Sequence, residues 1–360
     1  MKKLLSVLVS ILLCTALVAC GGNASPSSEV SSSTKASTAA PSAQGTDKET
    51  LKIAVSMASL EDIGQVAQLD FMKEAVDAYN ATNPEVKMEM KYLVATGDAA
   101  VQNTQILDLI NEKPDILFCN IQDATAIWSS VTACQDNGIP FVAWGRTLTE
   151  GGPEADCVIV SDNEQQCYDV TKALIEKMLN DGIALEDIKL VNLLGSLTDD
   201  NAQNMQKGHE KAMAEFGITP VAKVETDWNP EQCLTRLAAV LEAQPDVNAI
   251  FIPSDSQVPS VEAALTNIGR WVPYGEENHV YVAGRGTHNL AIAAIEGGYM
   301  DFDVLDNLYA IGTTPIEVCK SLINGEKLPD VLVVDAPLVT PDNIKNDSID
   351  GSVIWAKRYM

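Results

Sequence analysis

The stretch GIPFVAWGRT, residues 138–147, decides the fold. Pro140 follows a segment of helical length, and Phe141, Val142 and Ala143 then run apolar, as a strand buried on both faces does. The run ends in Trp144, Gly145 and Arg146, a large aromatic and a permanent cation separated by the smallest residue. A strand that only filled a core has no use for that ending. Groups just past the carboxyl ends of parallel strands, by contrast, stand where open α/β sheets take their ligands.

The same pattern repeats outward from this strand. Short β-branched runs occur at KIAVSM, VKMEMKYLV, DILFCN, DCVIVS and KLVNLLG, and again at VAKVE, AIFIPSD, VYVAGRG, FDVLD and VLVVDA. Between them lie segments of helical period such as QLDFMKEAVDAYNA, QQCYDVTKALIEKML and PEQCLTRLAAVLEA. Near-continuous apolar strands alternating with amphipathic helices predict an α/β fold with parallel sheets covered on both faces. The strands outnumber what one sheet of usual size carries, so two lobes fit better than one.

The residues just past each strand are then the place to look for a site. Asp62 and Gln65 come after the first strand, Asn120 after the third, and Trp144 with Arg146 at the end of the fourth. Later exits hold Ser161-Asp162-Asn163, Gln203, Trp228, Ser254 with Asp255, Arg285, and Asp306. Trp144 and Trp228 each fit two readings, a stacking face for a ligand or a tryptophan of the core or lobe edge. Trp128, Trp271 and Trp355, lying inside a helix or far from strand ends, read as structural.

The chain has 360 residues, with 24 Lys and Arg against 50 Asp and Glu, for a net charge of −26. Such an acidic chain repels phosphate backbones, which argues against nucleic-acid binding. Lys2 and Lys3 precede an apolar run that closes at Leu17-Val18-Ala19-Cys20, so residues 1–19 read as a secretory signal rather than an uncleaved anchor. The tetrad resembles a bacterial lipoprotein cleavage box, which implies acylation of Cys20 and tethering to the outer face of the cell membrane. Residues 20–50, rich in Ser, Thr, Ala and Pro, read as a flexible tether. Beyond Cys14 and Cys20 the chain has Cys119, Cys134, Cys157, Cys167, Cys233 and Cys319. They sit in apolar patterns and read as small buried hydrophobes, with a Cys119–Cys134 bridge open to an exported protein.

Enzyme signatures are missing. There is no G-x-S-x-G elbow, no H-E-x-x-H pair and no phosphate-cradling G-x-x-x-x-G-K-[ST] loop. His209 reads as a solvated helix face, His279 as solvated surface in a loop, and His288 as a residue able to touch a ligand. GRGTHN, residues 284–289, lacks the third glycine of a dinucleotide fingerprint. Asp301, Asp303 and Asp306 lack the glycine and bidentate glutamate of a calcium loop. Neither metal nor cofactor is expected. The residues suit recognition of a hydroxyl-rich ligand by fork-shaped polar partners and aromatic faces.

The order of motifs resembles the type I periplasmic-binding-protein family, the ribose- and galactose-binding proteins of ABC sugar importers, over residues 51–338. IAVSMASLED is similar to the family's first strand and ligand loop, LFCNIQD to its strand-Asn-x-x-Asp segment, and CVIVSDN to its Ser-Asp-Asn crossover. GIPFVAWGR resembles a strand usually ending in Asp-Arg, AIFIPSD one ending in Asn-Asp, and VYVAGRG one ending in Gly-aromatic-Asp. FDVLD resembles the second crossover, where a Gln commonly reaches the ligand.

The resemblance implies two Rossmann-like lobes joined by three strands, residues 51–160 with 307–333 and residues 161–306 with 334–360. It implies a monomer that closes on one sugar-like molecule and delivers it to an ABC permease, without catalysing a reaction. By position it implies ligand contacts from Asp62, Gln65, Asn120, Trp144, Arg146, Gln203, Trp228, Ser254, Asp255, Arg285 and Asp306. Gly145, Ser254 and Gly286 depart from the family pattern, so two expected carboxylates are missing, and Arg285 adds a cation. A modified or acidic sugar, or a non-sugar polyol, is the ligand these changes suggest. Competing readings are a sensor that feeds a signalling partner, and a carbohydrate-active lipoprotein enzyme using Asp62, Asp255 and Asp306.

Overall fold

The computed structural model of the protein describes residues 49–197 and 199–360; the signal segment, Cys20 and nearly all of the tether lie outside them. The chain runs through β1 (Thr50–Met57), α1 (Ile63–Thr82), β2 (Lys87–Val94), α2 (Ala99–Asn111), β3 (Ile116–Cys119), α3 (Trp128–Asp136), β4 (Phe141–Trp144) and β5 (Cys157–Ser161). It continues through α4 (Asn163–Asn180), β6 (Leu190–Leu194), α5 (Asp200–Phe216), β7 (Ala222–Glu225), α6 (Pro230–Ala243), β8 (Ala249–Phe251), α7 (Val258–Asn267), β9 (Tyr281–Gly286), α8 (Asn289–Glu296) and β10 (Phe302–Leu305). The last elements are α9 (Leu308–Thr313), α10 (Pro315–Ile323), β11 (Val331–Val334), β12 (Leu338–Val339), the hairpin β13 (Ser348–Ile349) and β14 (Ser352–Val353), and a 3-10 turn at Trp355–Tyr359.

These strands form two six-stranded sheets, ordered β11-β5-β4-β3-β1-β2 and β12-β10-β9-β8-β6-β7. Every pairing in them is parallel except β10 with β12. Strand period 2, with a core on each face, explains why inner strands such as β3 and β4 are apolar throughout. In the first sheet, Val55, Phe118 and Val142 pack one face while Ala54, Leu117 and Phe141 pack the other. In the second, Val191, Ile250 and Val282 face one core and Leu190, Phe251 and Ala283 the opposite one.

The chain passes between the sheets three times, after β5, after β10 and between β11 and β12. Side chains stitch the crossings together. Ser161 Oγ donates to Asp306 Oδ1 at 3.2 Å, tying the first crossing to the second. Asn307 Nδ2 donates to the Asp335 carbonyl at 2.9 Å and to Ser352 Oγ, tying the second to the third.

The fold corrects several expectations. All six cysteines of the folded region are free and buried, and no bridge joins Cys119 to Cys134. His209 is not a solvated residue: it is 2% exposed, its ring lies 3.6 Å from that of Phe251, and burial lowers its pKa to about 3. His279 is likewise inside, with Nδ1 bonded to the Val272 carbonyl and Nε2 3.2 Å from Asp301 Oδ2. Burial disfavours its imidazolium, but the Asp301 carboxylate outweighs that and raises its pKa. α8 and α9 are short and β12 is a two-residue strand, lengths at which periodicity carries little signal.

Candidate functional site

A cleft of about 740 Å³ lies at the carboxyl ends of both sheets. From the first sheet it takes Asp62 and Gln65 after β1, Asn120 after β3, and Arg146 after β4. From the second it takes Trp228 after β7, Ser254 and Asp255 after β8, Arg285 in β9, and Asp306 after β10. Their positions follow from parallel strands that all run toward the same edge.

Two expected contacts lie elsewhere. Trp144 is fully buried beneath the cleft, edge-on to Phe118, and its Nε1 donates to the Ile311 carbonyl at 2.7 Å. Strand parity is the reason: Trp144 shares a face with Val142, so its ring points into the core while only its neighbours reach the edge. Gln203 is exposed and turned back on its own loop, donating to the Leu197 carbonyl at 2.9 Å. The wall there is formed by Asn201, Asn204 and Met205 of α5, which share one face at helical spacing.

Loop chemistry fixes the remaining groups. Asp62 caps α1, accepting from the Gly64 amide at 2.8 Å. Asn120 is 4% exposed; its Oδ1 accepts from Gln65 Nε2, while its Nδ2 donates to Gln68 Oε1 and to the Trp144 carbonyl. Gly145 has φ +78°, a left-handed turn that suits glycine and aims the chain past β4. Arg146 Nη1 donates to the Ile121 carbonyl at 3.3 Å. Ser254 Oγ pairs with Ser256 Oγ at 2.9 Å.

Trp228 is the half-buried aromatic face of the cleft. Asp227 and Trp228 both have left-handed backbone, φ +51° and +57°, a conformation costing L-residues roughly 1–2 kcal/mol each. Such strain is held where a side chain must be aimed. The indole lies flat on Gly195, where an added Cβ would stand 2.2 Å from Cζ2, and its Nε1 donates to Asp199 Oδ2 at 3.2 Å. Gly195 thus backs one face of the ring and Asp199 holds its Nε1 edge, fixing the indole in the lining of the cleft.

The charge of the cleft differs from the sequence expectation. Arg285 is not a free cation: its Nε donates to Gln166 Oε1 at 3.0 Å, its Nη2 to Asn163 Oδ1 at 2.7 Å, and Asp306 Oδ1 lies 3.5 Å away. Asp62, Asp162, Glu164 and Asp199 add further carboxyl groups to the lining, against the two guanidinium groups of Arg146 and Arg285. Asp255 accepts from the His288 amide at 2.9 Å and abuts Asp303 beneath Gly284. Burial raises the pKa of Asp255, and burial together with the Asp255 charge raises that of Asp303 well above its ordinary value. The cleft offers an anionic ligand little.

Gln68 and Asn204 were not among the strand-exit candidates and Trp355 read as structural, yet all three line the cleft. Gln68 was legible as the next helical turn after Gln65, since residues three apart on a helix are neighbours. Trp355 had no local signal, because only the return of the C-terminal turn brings it back against His288. No group of three or more metal-ligating side chains occurs among the described residues.

A family model described as a periplasmic binding protein domain matches residues 53–327. The ribose import binding protein of Bacillus subtilis is 24% identical over 254 residues, covering 70% of this chain and 77% of that protein. An ABC transporter solute-binding protein of Actinobacillus succinogenes, solved with bound D-allose, is 22% identical, with a TM-score of 0.69 over 82% of this chain and 99% of that one. One of Bacillus halodurans, solved with bound myo-inositol, is also 22% identical, with a TM-score of 0.69 over 84% and 98% of the two chains.

Proposed function

The chain belongs to the periplasmic binding protein domain family, and from that premise we propose that it captures a neutral sugar or polyol between its lobes and delivers it to an ABC importer. The observation that carries this reading is the convergence of strand ends from both sheets on one polar cleft with an aromatic wall. A ligand spanning that cleft bonds to both lobes at once and so favours the closed arrangement over the open one. Amides and carboxylates fork onto hydroxyls, and the Trp228 face packs against C–H surface. The sugars and polyols held by its relatives support the ligand class.

The protein acts as a monomer at the outer face of the cell membrane, held by an acylated Cys20; the tetrad at residues 17–20 supports that placement. Replacing Cys20 by Ser should release the chain from the membrane fraction, whereas retention there would refute the anchor. The ligand leaves as it arrived, and its recovery unchanged after long incubation checks this. The decisive test is a thermal-shift screen against D-ribose, D-allose, xylitol and myo-inositol. A ligand at a hundred times its dissociation constant adds about 2.7 kcal/mol of stability. An unfolding midpoint unmoved by every sugar and polyol would overturn the reading.

A further inference from the structure

We propose that Gln68 is a specificity-determining ligand contact whose amide Nε2 donates a hydrogen bond to an acceptor oxygen of the bound sugar or polyol. The inference rests on the reading of the cleft as a sugar site and adds a residue and a polarity to it.

The orientation of the amide is fixed by its neighbours. The Trp144 carbonyl can only accept, so the Asn120 group facing it is the Nδ2 donor, at 3.3 Å. That same Nδ2 also faces Gln68, 3.3 Å away, so the Gln68 atom it meets must be the acceptor Oε1. Asn120 Oδ1 is already taken by Gln65 Nε2 at 3.3 Å. In the Gln65–Asn120–Gln68 relay, Gln68 Nε2 is therefore the group left both uncommitted and buried.

That group is buried and without a protein partner, on a side chain only 3% exposed that lines the cleft. Buried donors are rarely left unpaired, because an unmade bond loses the whole cost of desolvation. Gly145 adjoins this group in the lining of the cleft. Gly145 has no side chain, and a Cβ there would stand 3.1 Å from Gln68 Nε2 and 3.3 Å from Oε1. The amide of Gln68 thus flanks the space that a carboxylate at position 145 would occupy. A carboxylate there would accept hydrogen bonds from ligand hydroxyls. Nε2 donates instead, so the polarity of this subsite is reversed.

Titration calorimetry on the full chain with D-ribose, D-allose, xylitol and myo-inositol tests this, using wild type, Gln68→Glu and Gln68→Met. Gln68→Glu keeps an oxygen for Asn120 and removes only the donor. It should weaken the tightest-binding probe at least tenfold at pH 7.5. The loss should shrink as pH falls toward 5, where a buried carboxyl regains a proton to donate, while wild-type affinity moves less than twofold. Gln68→Met should lose binding at every pH. Wild-type affinity in Gln68→Glu at pH 7.5, or a loss indifferent to pH, overturns the proposal. If Gln68→Glu fails to fold, Gln68→Met decides: a tenfold loss supports the contact and affinity within twofold of wild type overturns it. A wild-type chain that binds none of the probes defeats the sugar reading itself, and this inference with it.

Discussion

Arg285 Nη2 stands 3.5 Å from Asp306 Oδ1, which joins the ligand end of β9 to the second crossing between the lobes. The same guanidinium holds Asn163 and Gln166 at the start of α4, just past the first crossing. The cation is thus spent on the frame of the cleft, and its charge is matched by a carboxylate.

A neutral ligand should therefore outcompete its uronic acid. In competition calorimetry D-glucuronate should bind at least tenfold more weakly than the best neutral sugar. Arg285→Met should weaken neutral binding by a similar factor, because it frees Asp306, Asn163 and Gln166. Equal or tighter binding of glucuronate would mean that the guanidinium is available after all.

Gly195→Ala should disable the aromatic wall. A Cβ at that position meets the Trp228 ring at 2.2 Å, so the indole must swing away. We expect at least a tenfold loss of affinity and a changed tryptophan emission spectrum, with Trp228→Phe losing less than Trp228→Ala. Unchanged affinity in Gly195→Ala would remove Trp228 from the binding surface.

Trp144 should matter to stability and not to ligand. Trp144→Ala should cost about 3–5 kcal/mol in urea unfolding, as large-to-small core changes do. Ligand affinity of its folded fraction should stay within twofold of wild type. A selective loss of affinity would restore the stacking role.

On α5, Gln203→Ala should leave affinity unchanged, because the side chain turns away from the cleft. Asn204→Ala should weaken it several-fold, since Asn204 lines the wall. Paired calorimetric titrations check both, and the reverse pattern would mean that the helix is rotated in the bound state.

Acid should weaken the fold through His209. Its pKa is about 3 when folded and about 6.5 when unfolded, so below pH 6.5 the unfolded chain binds a proton that the native chain refuses. Stability from this group is present above pH 6.5 and falls by at most about 1.4 kcal/mol per pH unit toward pH 3. His279 has the opposite sign: its raised pKa gives stability below pH 6.5 that is lost as pH rises through the folded value. Unfolding midpoints of wild type, His209→Gln and His279→Gln from pH 4.5 to 8 should separate the two. Parallel curves for all three chains would refute both assignments.

The local code was strong where burial is two-sided. Runs such as ILFC and FVAW are apolar at every position because each sheet face has its own core, so inner strands of this kind could be read off directly. Strand exits likewise gave most of the cleft lining, from Asp62 to Asp306, since parallel strands deliver their ends to one edge. The failures came where a side chain's direction matters more than its place in the chain. Trp144 sits at a strand end but points into the core, and Gln203 sits on the right helix but on the wrong face.

Residue type and short-range period were enough to establish the alternation of strand and helix, the acidic balance and the set of polar exits. Which of those groups share the cleft, and which are already committed, depended on the packing of distant segments. Arg285 looked like a free cation until Asn163, Gln166 and Asp306 were brought around it from two crossings. Gly145 looked like a missing carboxylate until Gln68, from a different element, was found beside the space it leaves. Hydrogen bonds between residues far apart in the chain are set by packing, and no local pattern encodes them.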